Sequence, residues 1–536
     1  MIATGTKSSS ATRMLPVSRS ILTYAWLALP ALLAQPQQPA TAATPDDKPE
    51  PVKTSITVAE KISTETPAAI SVLGKLELRQ APGVNLDDRL RTVPGFSLFR
   101  RSSSVAANPT TQGVSLRALG STGASRTLVL WDGIPLNDPF GGWIYWTRMS
   151  PDEMERVEIL RGASTSVFGD RAIGGALHVF SRNPEPKRFT ASYEGGTRNT
   201  HEVTGGASHV WRKIGASANL RLFNTDGYYI VPERFRGTVD TPAGVRFAAG
   251  TARLDFLGSK DRFFTRLDVL TEDRANGTQL QRNSTSLGTL AANYSRQFAN
   301  NDSLSVIGYH TRSEFHASFT AIAANRLTER LTSTQVVPAE ATGGAAFYTH
   351  TSTIWNGLVG ADVERVEGYS TDRVFPTGIR FGGGSRLQHG VFTQLNATAG
   401  PVKFFGGARH HVTGTGRNFF SPSAGLTAGK GIMRFRGSVY RSFRNPTLNE
   451  LYREFRAGNT ATLANDQLKP ETLFGAEAGV DFIGETRRLT VTAYRNDMSD
   501  VITNVTLATT PTQITRRRQN AASALTRGVE VSARQN

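Results

Sequence analysis

Apolar and polar residues alternate along much of the chain after Pro186. Successive side chains of a β-strand point to opposite faces, so a period of two predicts strands with one apolar and one polar face. About sixteen such segments lie between Arg188 and Ala533, without helical stretches between them. The clearest are residues 214–222, 304–310, 355–363, 391–397, 422–429, 474–482 and 489–496.

This alternation fits two architectures, a soluble β-sandwich and a transmembrane β-barrel. Strands near ten residues long, many in succession, with small residues on the polar face, favour the barrel. In lipid every backbone N–H and C=O must be paired, so a spanning sheet must close on itself. The predicted fold class is therefore mostly β, a transmembrane antiparallel β-barrel.

The first part of the chain has the pattern of an export signal. Arg13 and Arg19 precede an apolar run at residues 21–34, which is too short to span a bilayer. Ala40-Thr41-Ala42 supplies a small-residue cleavage pattern, so residues 1–43 are predicted to be a signal peptide. A start at Met14 would give a signal of more ordinary length.

Residues 44–60 are predicted to be a disordered linker that ends in an extended segment. The linker is rich in proline, alanine, threonine and charge. Its last residues can add themselves as a strand to the sheet edge of a partner, although strings of this kind are also common as the first strand of a domain. The segment consists of Thr54, Ser55, Ile56, Thr57, Val58, Ala59 and Glu60.

The stretch from residue 115 to residue 182 has a third pattern. Two short apolar or β-branched runs, Thr127–Trp131 and Val157–Leu160, are each followed by glycine-rich segments, which predicts strands joined by tight turns. A strand at Ala69–Val72 and a helix with its apolar face turned inward precede it. The residues of that face are Leu86, Leu90 and Val93, and the turn glycines are Gly162, Gly169, Gly174 and Gly175.

The amino-acid sequences of these segments resemble those of the plug domain of TonB-dependent outer-membrane receptors. The shared motifs are LVLWDGIPLND at residues 128–138 and MERVEILRG at residues 154–162, closed by FGDRAIGGALHVFS at residues 168–181. Ala118 departs from the pattern, since the family has glycine after the arginine. The resemblance implies a small α+β plug at residues 61–185, inside the lumen of a 22-stranded barrel.

The second part of the chain carries two further motifs of that family. Residues 443–452 (FRNPTLNELY) resemble its "FR.P.l.ELy" segment, and residues 468–472 (LKPET) resemble its "L.PE" segment. In the family several hairpins follow the motif RGVE, which stands here at residues 527–530. The expectation is a barrel from residue 186 to residue 536 that is incomplete at its C-terminal end.

Composition narrows the function classes. The net charge is +17, which could suggest nucleic acid, but no basic cluster or nucleic-acid motif occurs. Arginines facing a polar lumen, outer-membrane lipid or lipopolysaccharide explain the charge equally well. The absence of cysteine excludes disulfides, thiolate metal sites and cysteine nucleophiles.

The serine, histidine and aspartate residues of this sequence are not spaced as a known catalytic motif requires. The sequence has no G-x-S-x-G elbow, H-E-x-x-H pair or P-loop. His410 and His411 are adjacent, so in a strand they point to opposite faces and cannot chelate one metal ion together. In the family that the sequence resembles, haem transporters tend to carry a ligand histidine at the position that corresponds to residues 452–468. This sequence has no histidine there, which lowers the case for haem as the ligand. We therefore expect neither an enzyme, nor a cofactor, nor a metal site.

The resemblance implies a receptor for a scarce small-molecule ligand, taken into the periplasm when the TonB-ExbB-ExbD complex pulls the plug. On this reading residues 54–60 are similar to a TonB box. An iron siderophore, another metal chelate, cobalamin and carbohydrate all remain open as ligands. The alternative is a non-transporting surface barrel, which would need neither plug nor box.

Two groups of site residues follow. Aromatic residues and paired arginines in two plug loops suit a rigid or anionic ligand, which predicts a ligand-facing apex. Its members are Phe96, Phe99, Arg100, Arg101, Phe140, Trp143, Tyr145 and Trp146. The resemblance further implies a charge latch between plug and barrel, made of Arg117, Arg161, Glu477 and Glu530. The alternative for each group is structural: aromatic wedges, and separately solvated charges.

Overall fold

The computed structural model describes residues 67–100, 102–120, 123–162, 165–414 and 416–535. The predicted signal peptide, the linker and the extended segment at residues 54–60 lie outside the described residues, and so does Arg101. The described residues all belong to one compact unit, Thr54–Asn536.

The first part of the described chain is a small α+β domain, which we call the plug. Its five-stranded sheet has the order β1-β6-β7-β4-β5, and β2 pairs with β3 beside it. Its elements are β1 Ala69–Gly74, α1 Lys75–Gln80, α2 Leu86–Arg89, β2 Phe96–Leu98, β3 Val114–Leu116, β4 Leu128–Trp131, β5 Ile134–Pro135, β6 Met154–Arg161, α3 Thr165–Phe168 and β7 Gly175–Ser181.

The apolar face predicted for the first helix is confirmed. Leu86, Leu90 and Val93 are all buried in the plug core, next to Val129 and Ile159 of the sheet. The helix itself is shorter than predicted, because α2 gives way to a 3-10 turn at Leu90–Thr92. The predicted strands at 127–131, 157–160 and 69–72 correspond to β4, β6 and β1.

The second part of the chain is a β-barrel. Its elements are β8 Arg188–Gly196, β9 Thr200–Trp211, β10 Ile214–Tyr228, β11 Ala243–Leu257, β12 Asp261–Ala275, β13 Arg282–Gln297, β14 Ser303–Ile322, β15 Glu329–Thr351, β16 Trp355–Val374, β17 Ile379–Ala399, β18 Val402–Val412, β19 Asn418–Lys430, β20 Met433–Arg444, α4 Leu448–Tyr452, β21 Phe455–Ala457, β22 Thr460–Leu463, β23 Glu471–Ile483, β24 Arg487–Thr509 and β25 Ile514–Gln535.

The described barrel contains eighteen strands, compared with about sixteen strand-like segments recognised in the sequence. Two of them, β21 and β22, are short and belong to the connection at residues 445–470, so β20 pairs directly with β23. Neighbouring long strands are antiparallel. At one end they are joined by connections such as 212–213 and 431–432, and at the other by longer ones such as 229–242 and 445–470. We call these the short-turn end and the long-loop end.

The apolar faces of the strands point outward. Leu220 and Leu290 are 47% and 56% exposed, whereas Arg221, the neighbour of Leu220, and Arg266 are fully buried on the inner side. A soluble sandwich would bury its apolar faces, so this inversion is the arrangement of a barrel surrounded by lipid. Within the described residues, no helix has the length and apolar character needed to cross a bilayer.

The seam between β25 and β8 is the least covered part of the wall. The two strands are neighbours in the circular order. Residue-by-residue pairing runs from β8 round to β25 through the other long strands. Phe189 of β8 is 78% exposed and Val529 of β25 is 67% exposed, and no residue of β8 is buried.

The plug occupies the barrel lumen, and one of its turns can tolerate only glycine. Gly175 opens β7 with φ at +129°, a conformation that side-chain-bearing residues rarely adopt. A Cβ atom there would lie 2.1 Å from the carbonyl oxygen of Leu160 on β6. The glycine therefore lets β6 and β7 approach closely at the centre of the sheet.

Replacing Gly175 by alanine is expected to loosen the plug without opening the barrel. The strained φ and the clash with Leu160 should cost about 1–3 kcal/mol of plug stability. The measurement is the rate of limited proteolysis within residues 67–185 of the purified protein. The control is Gly205→Ala on β9, where a Cβ would meet nothing within 4 Å. Equal cleavage rates in both variants would contradict the role given to Gly175.

Candidate functional site

The four predicted latch residues meet between plug and barrel, and we call them the latch cluster. Nη1 of Arg117 lies 2.5 Å from Oε2 of Glu477, and Nη2 lies 3.2 Å from Oε2 of Glu530. Nε of Arg161 lies 3.8 Å from Oε1 of Glu530. Two plug cations thus face two carboxylates from β23 and β25.

The backbone before the cluster determines where Arg117 points. Arg117 follows β3 directly, and its N–H donates to the carbonyl of Gly95 at 2.7 Å. Arg117 and Ala118 both have positive φ, at 53° and 54°. A left-handed pair of residues without glycine is strained. Ala118, which stands where the family motif has glycine, therefore adopts a left-handed backbone conformation that is strained for a residue with a side chain.

Burial makes Arg117 the central member of the cluster. Its side chain is 1% exposed and that of Glu477 is 0% exposed. Burial alone lowers the pKa of Arg117, but the charges of Glu477 and Glu530 outweigh it and raise that pKa above its ordinary value. The ring of Tyr494 lies under the guanidinium at 4.6 Å from its centroid. Arg117 therefore stays charged, and its partners cannot be removed singly without exposing a buried charge.

Arg161 makes its hydrogen bonds within the plug, whereas Arg117 binds the barrel. It donates to Oγ of Ser71 on β1 at 2.8 Å and to the carbonyl of Pro94 at 3.1 Å, both within the plug. Burial lowers the pKa of Arg161, against the opposing charge of Glu530. Arg161 thus joins the edge strand β1 to the latch cluster, whereas Arg117 carries the direct contact with the barrel.

A second group of charges links plug and barrel, and the sequence reasoning missed it. Arg126 donates to both carboxylate oxygens of Glu471, at 2.9 and 2.6 Å. Glu471 also accepts from Nε of Arg444 at 2.7 Å, and Arg444 binds Glu450 with both Nη atoms, at 2.9 and 3.1 Å. We call these four residues the outer charge chain. The motifs at residues 443–452 and 468–472 contain three of them, but only the structure shows Arg126 as their plug partner.

The outer charge chain holds helix α4 of the long-loop end against the plug. Glu450 and Thr447 cap the helix reciprocally, and Arg518 of β25 donates to the carbonyls of Asn449 and Arg453. The N–H of Asn449 donates to the carbonyl of Phe140 in the plug at 2.9 Å. The longest described connection of the barrel is thereby fixed to two plug loops, one through Arg126 and one through Phe140.

Further ion pairs tie the plug to the opposite wall. Asp132, in the DGIP motif, lies 2.5 Å from Nη1 of Arg266 on β12. Burial raises the pKa of Asp132, but Arg266 and Arg253 outweigh it and hold that pKa below its ordinary range. Arg148 binds Asp268 at 2.5 Å, and Arg171 binds Glu364 of β16 at 3.0 Å. Charged contacts therefore surround the plug.

Four aromatic residues predicted at the ligand-facing apex are buried instead. Phe140, Trp143 and Tyr145 are between 1% and 3% exposed and pack against barrel residues such as Phe315, 6.2 Å from Trp143 between ring centroids. Trp146 lies in the plug core. This placement differs from the prediction, because large rings gain most when both sides of the plug–wall contact exclude water.

The remaining apex residues are divided. Phe96 is half-buried against the plug core, and Phe99 is 51% exposed. The side chain of Arg100 is buried and lies 2.5 Å from Asp87, so it serves an ion pair inside the plug. Arg101 lies outside the described residues. Only Phe99 therefore presents an exposed aromatic ring.

The prediction for the two adjacent histidines is confirmed. On β18, His411 is buried and His410 is exposed, as opposite faces require. His411 packs against Phe443 in a tilted arrangement, with 4.8 Å between the ring centroids. Among the described residues, no group of three or more histidine, aspartate or glutamate side chains is placed to hold a metal ion.

The fold and the contacts define a class of protein, a lipid-facing β-barrel whose lumen is filled by a charge-anchored plug. Residues 63–176 match the family model of the TonB-dependent receptor plug domain, and residues 210–536 match that of the TonB-dependent receptor-like β-barrel. The chain belongs to the TonB-dependent receptor family, whose barrels lie in the outer membrane.

Curated relatives and solved structures agree with this assignment. The vitamin B12 transporter BtuB of Vibrio vulnificus strain YJ016 is 23% identical over 470 residues, which cover 83% of this chain and 69% of the relative. The ferric enterobactin receptor PirA of Pseudomonas aeruginosa is 29% identical over 206 residues, covering 33% of this chain and 26% of the relative.

Among solved structures, the siderophore receptor PirA from Acinetobacter baumannii has a TM-score of 0.69 at 16% identity, covering 89% of this chain and 79% of that one. The copper transporter OprC has a TM-score of 0.70 at 14% identity, covering 88% and 77%. At these identities the structural likeness establishes the fold.

Reversing the pair Arg117–Glu477 is expected to be less harmful than breaking it. Either single change, Arg117→Glu or Glu477→Arg, brings like charges together in a buried place and should cost about 3–5 kcal/mol of plug anchoring. The double variant restores opposite charges and should recover part of that loss. The measurement is the sensitivity of cells to vancomycin, which a seated plug excludes by size.

The control for this cycle is the exposed pair Arg495–Asp497 on β24, whose side chains are 64% and 43% exposed. Reversing that pair should leave sensitivity unchanged, since exposed ion pairs contribute little. If both single changes at Arg117 and Glu477 are silent, or the double variant is no better than either, the latch assignment is wrong.

Two buried plug carboxyls predict a pH dependence. Burial raises the pKa of Asp138 to about 7, against the N–H groups of Gly141 and Phe140, and raises that of Glu153 to about 7, against the hydroxyl of Thr251. The folded plug therefore holds these protons more tightly than the unfolded chain. Plug stability should fall by about 1–3 kcal/mol as pH rises from about 5 to about 8.

The measurement is urea unfolding of the plug in the purified protein across that pH range. The variants Asp138→Asn and Glu153→Gln should flatten the dependence, because the neutral amides have no proton to lose. The control Glu155→Gln changes an exposed carboxylate on β6, two residues after Glu153. An unaltered slope in both buried variants would contradict the account.

Proposed function

We propose that this protein takes up a scarce small-molecule ligand across the outer membrane, driven by the TonB-ExbB-ExbD complex. The observation that carries the proposal is the plug itself, fixed in the lumen by ion pairs on several sides as well as by an aromatic contact with the wall. Buried ion pairs are strong in place, yet water can solvate their separated members. Such contacts hold the plug at rest and release it under a pull.

The pull is proposed to enter through residues 54–60. This segment precedes β1 in the sequence, and β1 is the first described strand of the plug and an edge strand of its sheet. An extended segment of this kind can pair with a partner's sheet edge through its main chain. Force on β1 would reach the latch cluster through the bond between Ser71 and Arg161.

The ligand is proposed to bind at the long-loop end. Helix α4 and the short strands β21 and β22 lie there, in the connection at residues 445–470. The outer charge chain joins this connection to Arg126 of the plug. Of the predicted apex set, Phe99 remains available as an exposed ring, while Phe140, Trp143 and Tyr145 are proposed to wedge the plug against the wall.

Two ligand classes have support from the relatives, which are named for vitamin B12 and for ferric siderophores. We propose that the ligand belongs to one of these two classes. Uptake of carbohydrate or another nutrient is the alternative within the family. A non-transporting surface barrel is the alternative outside it, and the filled lumen argues against that role because simple surface binding needs no plug.

Deleting residues 54–60 tests the proposal. The variant should bind ligand at the cell surface as tightly as the parent protein but should lose energised uptake. The probes are iron-55 ferric enterobactin and cobalt-57 cyanocobalamin, in a strain that lacks its own receptors for both. Binding is measured in cells depleted of proton-motive force, and uptake in energised cells.

The control deletes residues 44–50, a linker segment of the same length. It should leave uptake intact, because the linker only needs to span a distance. Uptake that survives deletion of residues 54–60, or that persists without proton-motive force, would contradict the proposal. Binding of a probe without energised uptake in the parent protein would favour the surface barrel.

A further inference from the structure

A cavity of about 280 Å³ lies at the short-turn end, between β1 of the plug and the barrel wall. Four arginines of the wall line it: Arg434 and Arg436 on β20, Arg488 on β24 and Arg534 on β25. Arg161 of the plug forms part of its roof, next to Glu530. The cavity therefore lies directly below the latch cluster.

The charges of this cavity are not balanced. Its acidic lining residues are Glu77, Asp481 and Glu530, against five arginines. Asp481 is shared by Arg434 at 2.5 Å and Arg436 at 3.5 Å. Glu77 pairs with Arg534 at 3.2 Å, and Glu530 is shared by Arg117 and Arg161. In the described part of the chain, Arg488 has no carboxylate within 4 Å. The surplus of positive charge is a property of the cavity as a whole.

Several arginines elsewhere in the lumen are paired with carboxylates close by. On β12, Arg274 binds Glu272 at 2.5 Å, two residues away on the same face. On β18, Arg409 binds Asp362 of β16 with two nitrogens, at 2.6 and 2.7 Å. The lumen can thus neutralise arginine where it serves structure only. The excess at the short-turn end calls for another explanation.

Strand β1 is the plug-side wall of the cavity. It pairs with β6 on one side only, and its other edge lines the cavity from Ala69 to Leu73. Before β1, Nη1 of Arg436 donates to the carbonyl of Pro67 at 3.4 Å, and Pro67 packs on Gly425 of β19. Displacing β1 would join the cavity to the lumen above it.

We infer that this arginine-lined cavity is the exit of the ligand path, and that the transported ligand is an anion. The inference rests on the proposed function and narrows it. A ferric chelate with catecholate or carboxylate donors keeps a net negative charge, so several guanidinium groups attract it without binding it in one fixed geometry. Cyanocobalamin has no net charge and gains nothing from this lining.

The first test removes one charge from the cavity without touching the latch cluster. Arg488→Gln and Arg488→Glu should lower the maximal uptake rate of iron-55 ferric enterobactin progressively, by about tenfold for the glutamate. The surface dissociation constant in cells without proton-motive force should not change. Arg487→Gln and Arg487→Glu are the matched controls, since Arg487 precedes Arg488 on the opposite face of β24.

The outcomes separate the two proposals. Energised uptake of ferric enterobactin that is equal in the Arg488 and Arg487 variants would overturn the anionic exit and leave the proposed function standing. Energised uptake of cyanocobalamin without uptake of ferric enterobactin would also overturn the anionic exit and leave the proposed function standing. Failure of both probes to be taken up would overturn the proposed function and the exit together.

A second test needs no ligand. Purified protein carrying Arg161→Gln, which loosens β1, is inserted into planar bilayers across a potassium chloride gradient. The opened passage should prefer chloride, and adding Arg488→Glu should move the reversal potential toward that of potassium, whereas adding Arg487→Glu should not. A passage that prefers potassium, or that is indifferent to Arg488→Glu, would contradict the inference.

Discussion

The structure depends on one constraint, that a sheet in lipid must turn its apolar side chains outward and pair its backbone within itself. Because strand side chains alternate, the polar half of every strand is then forced into the lumen, as Leu220 and Arg221 illustrate. A plug placed there meets arginines and carboxylates. Its anchoring is therefore electrostatic in large part, and the aromatic wedge around Phe140 supplies the apolar remainder.

The ion pairs lie at different heights in the barrel. The outer charge chain reaches helix α4 at the long-loop end, the latch cluster lies nearer the short-turn end, and the cavity lies below the latch. A pull that enters at β1 would meet Arg161 first, then Arg117, and Arg126 last. Contacts released one after another demand less force than contacts broken together. The order also separates the ligand end from the exit.

The sequence predicted the architecture well because periodicity and motifs are local signals. The strands follow from alternation, and the plug follows from the family resemblance. Arg126 was missed because it lies just outside the plug motif at residues 128–138 and the resemblance names no partner for it, whereas its contact with Glu471 exists only in the folded structure. The aromatic apex was misplaced for a related reason. A tryptophan such as Trp143 looks alike in sequence whether it faces a ligand or the barrel wall, and only the position of Phe315 decides between them.

The most direct measurement uses the absence of cysteine in this chain. In Pro67→Cys with Gly425→Cys the two Cβ atoms would start 2.9 Å apart. A disulfide has its Cβ atoms roughly 3.5–4.5 Å apart, so residue 67 must move outward slightly before the bond closes and pins the start of the plug to the wall. If the plug must yield from β1, oxidised cells will bind ligand normally but lose energised uptake, and reductant will restore it. Unchanged uptake with the disulfide fully formed would contradict the account.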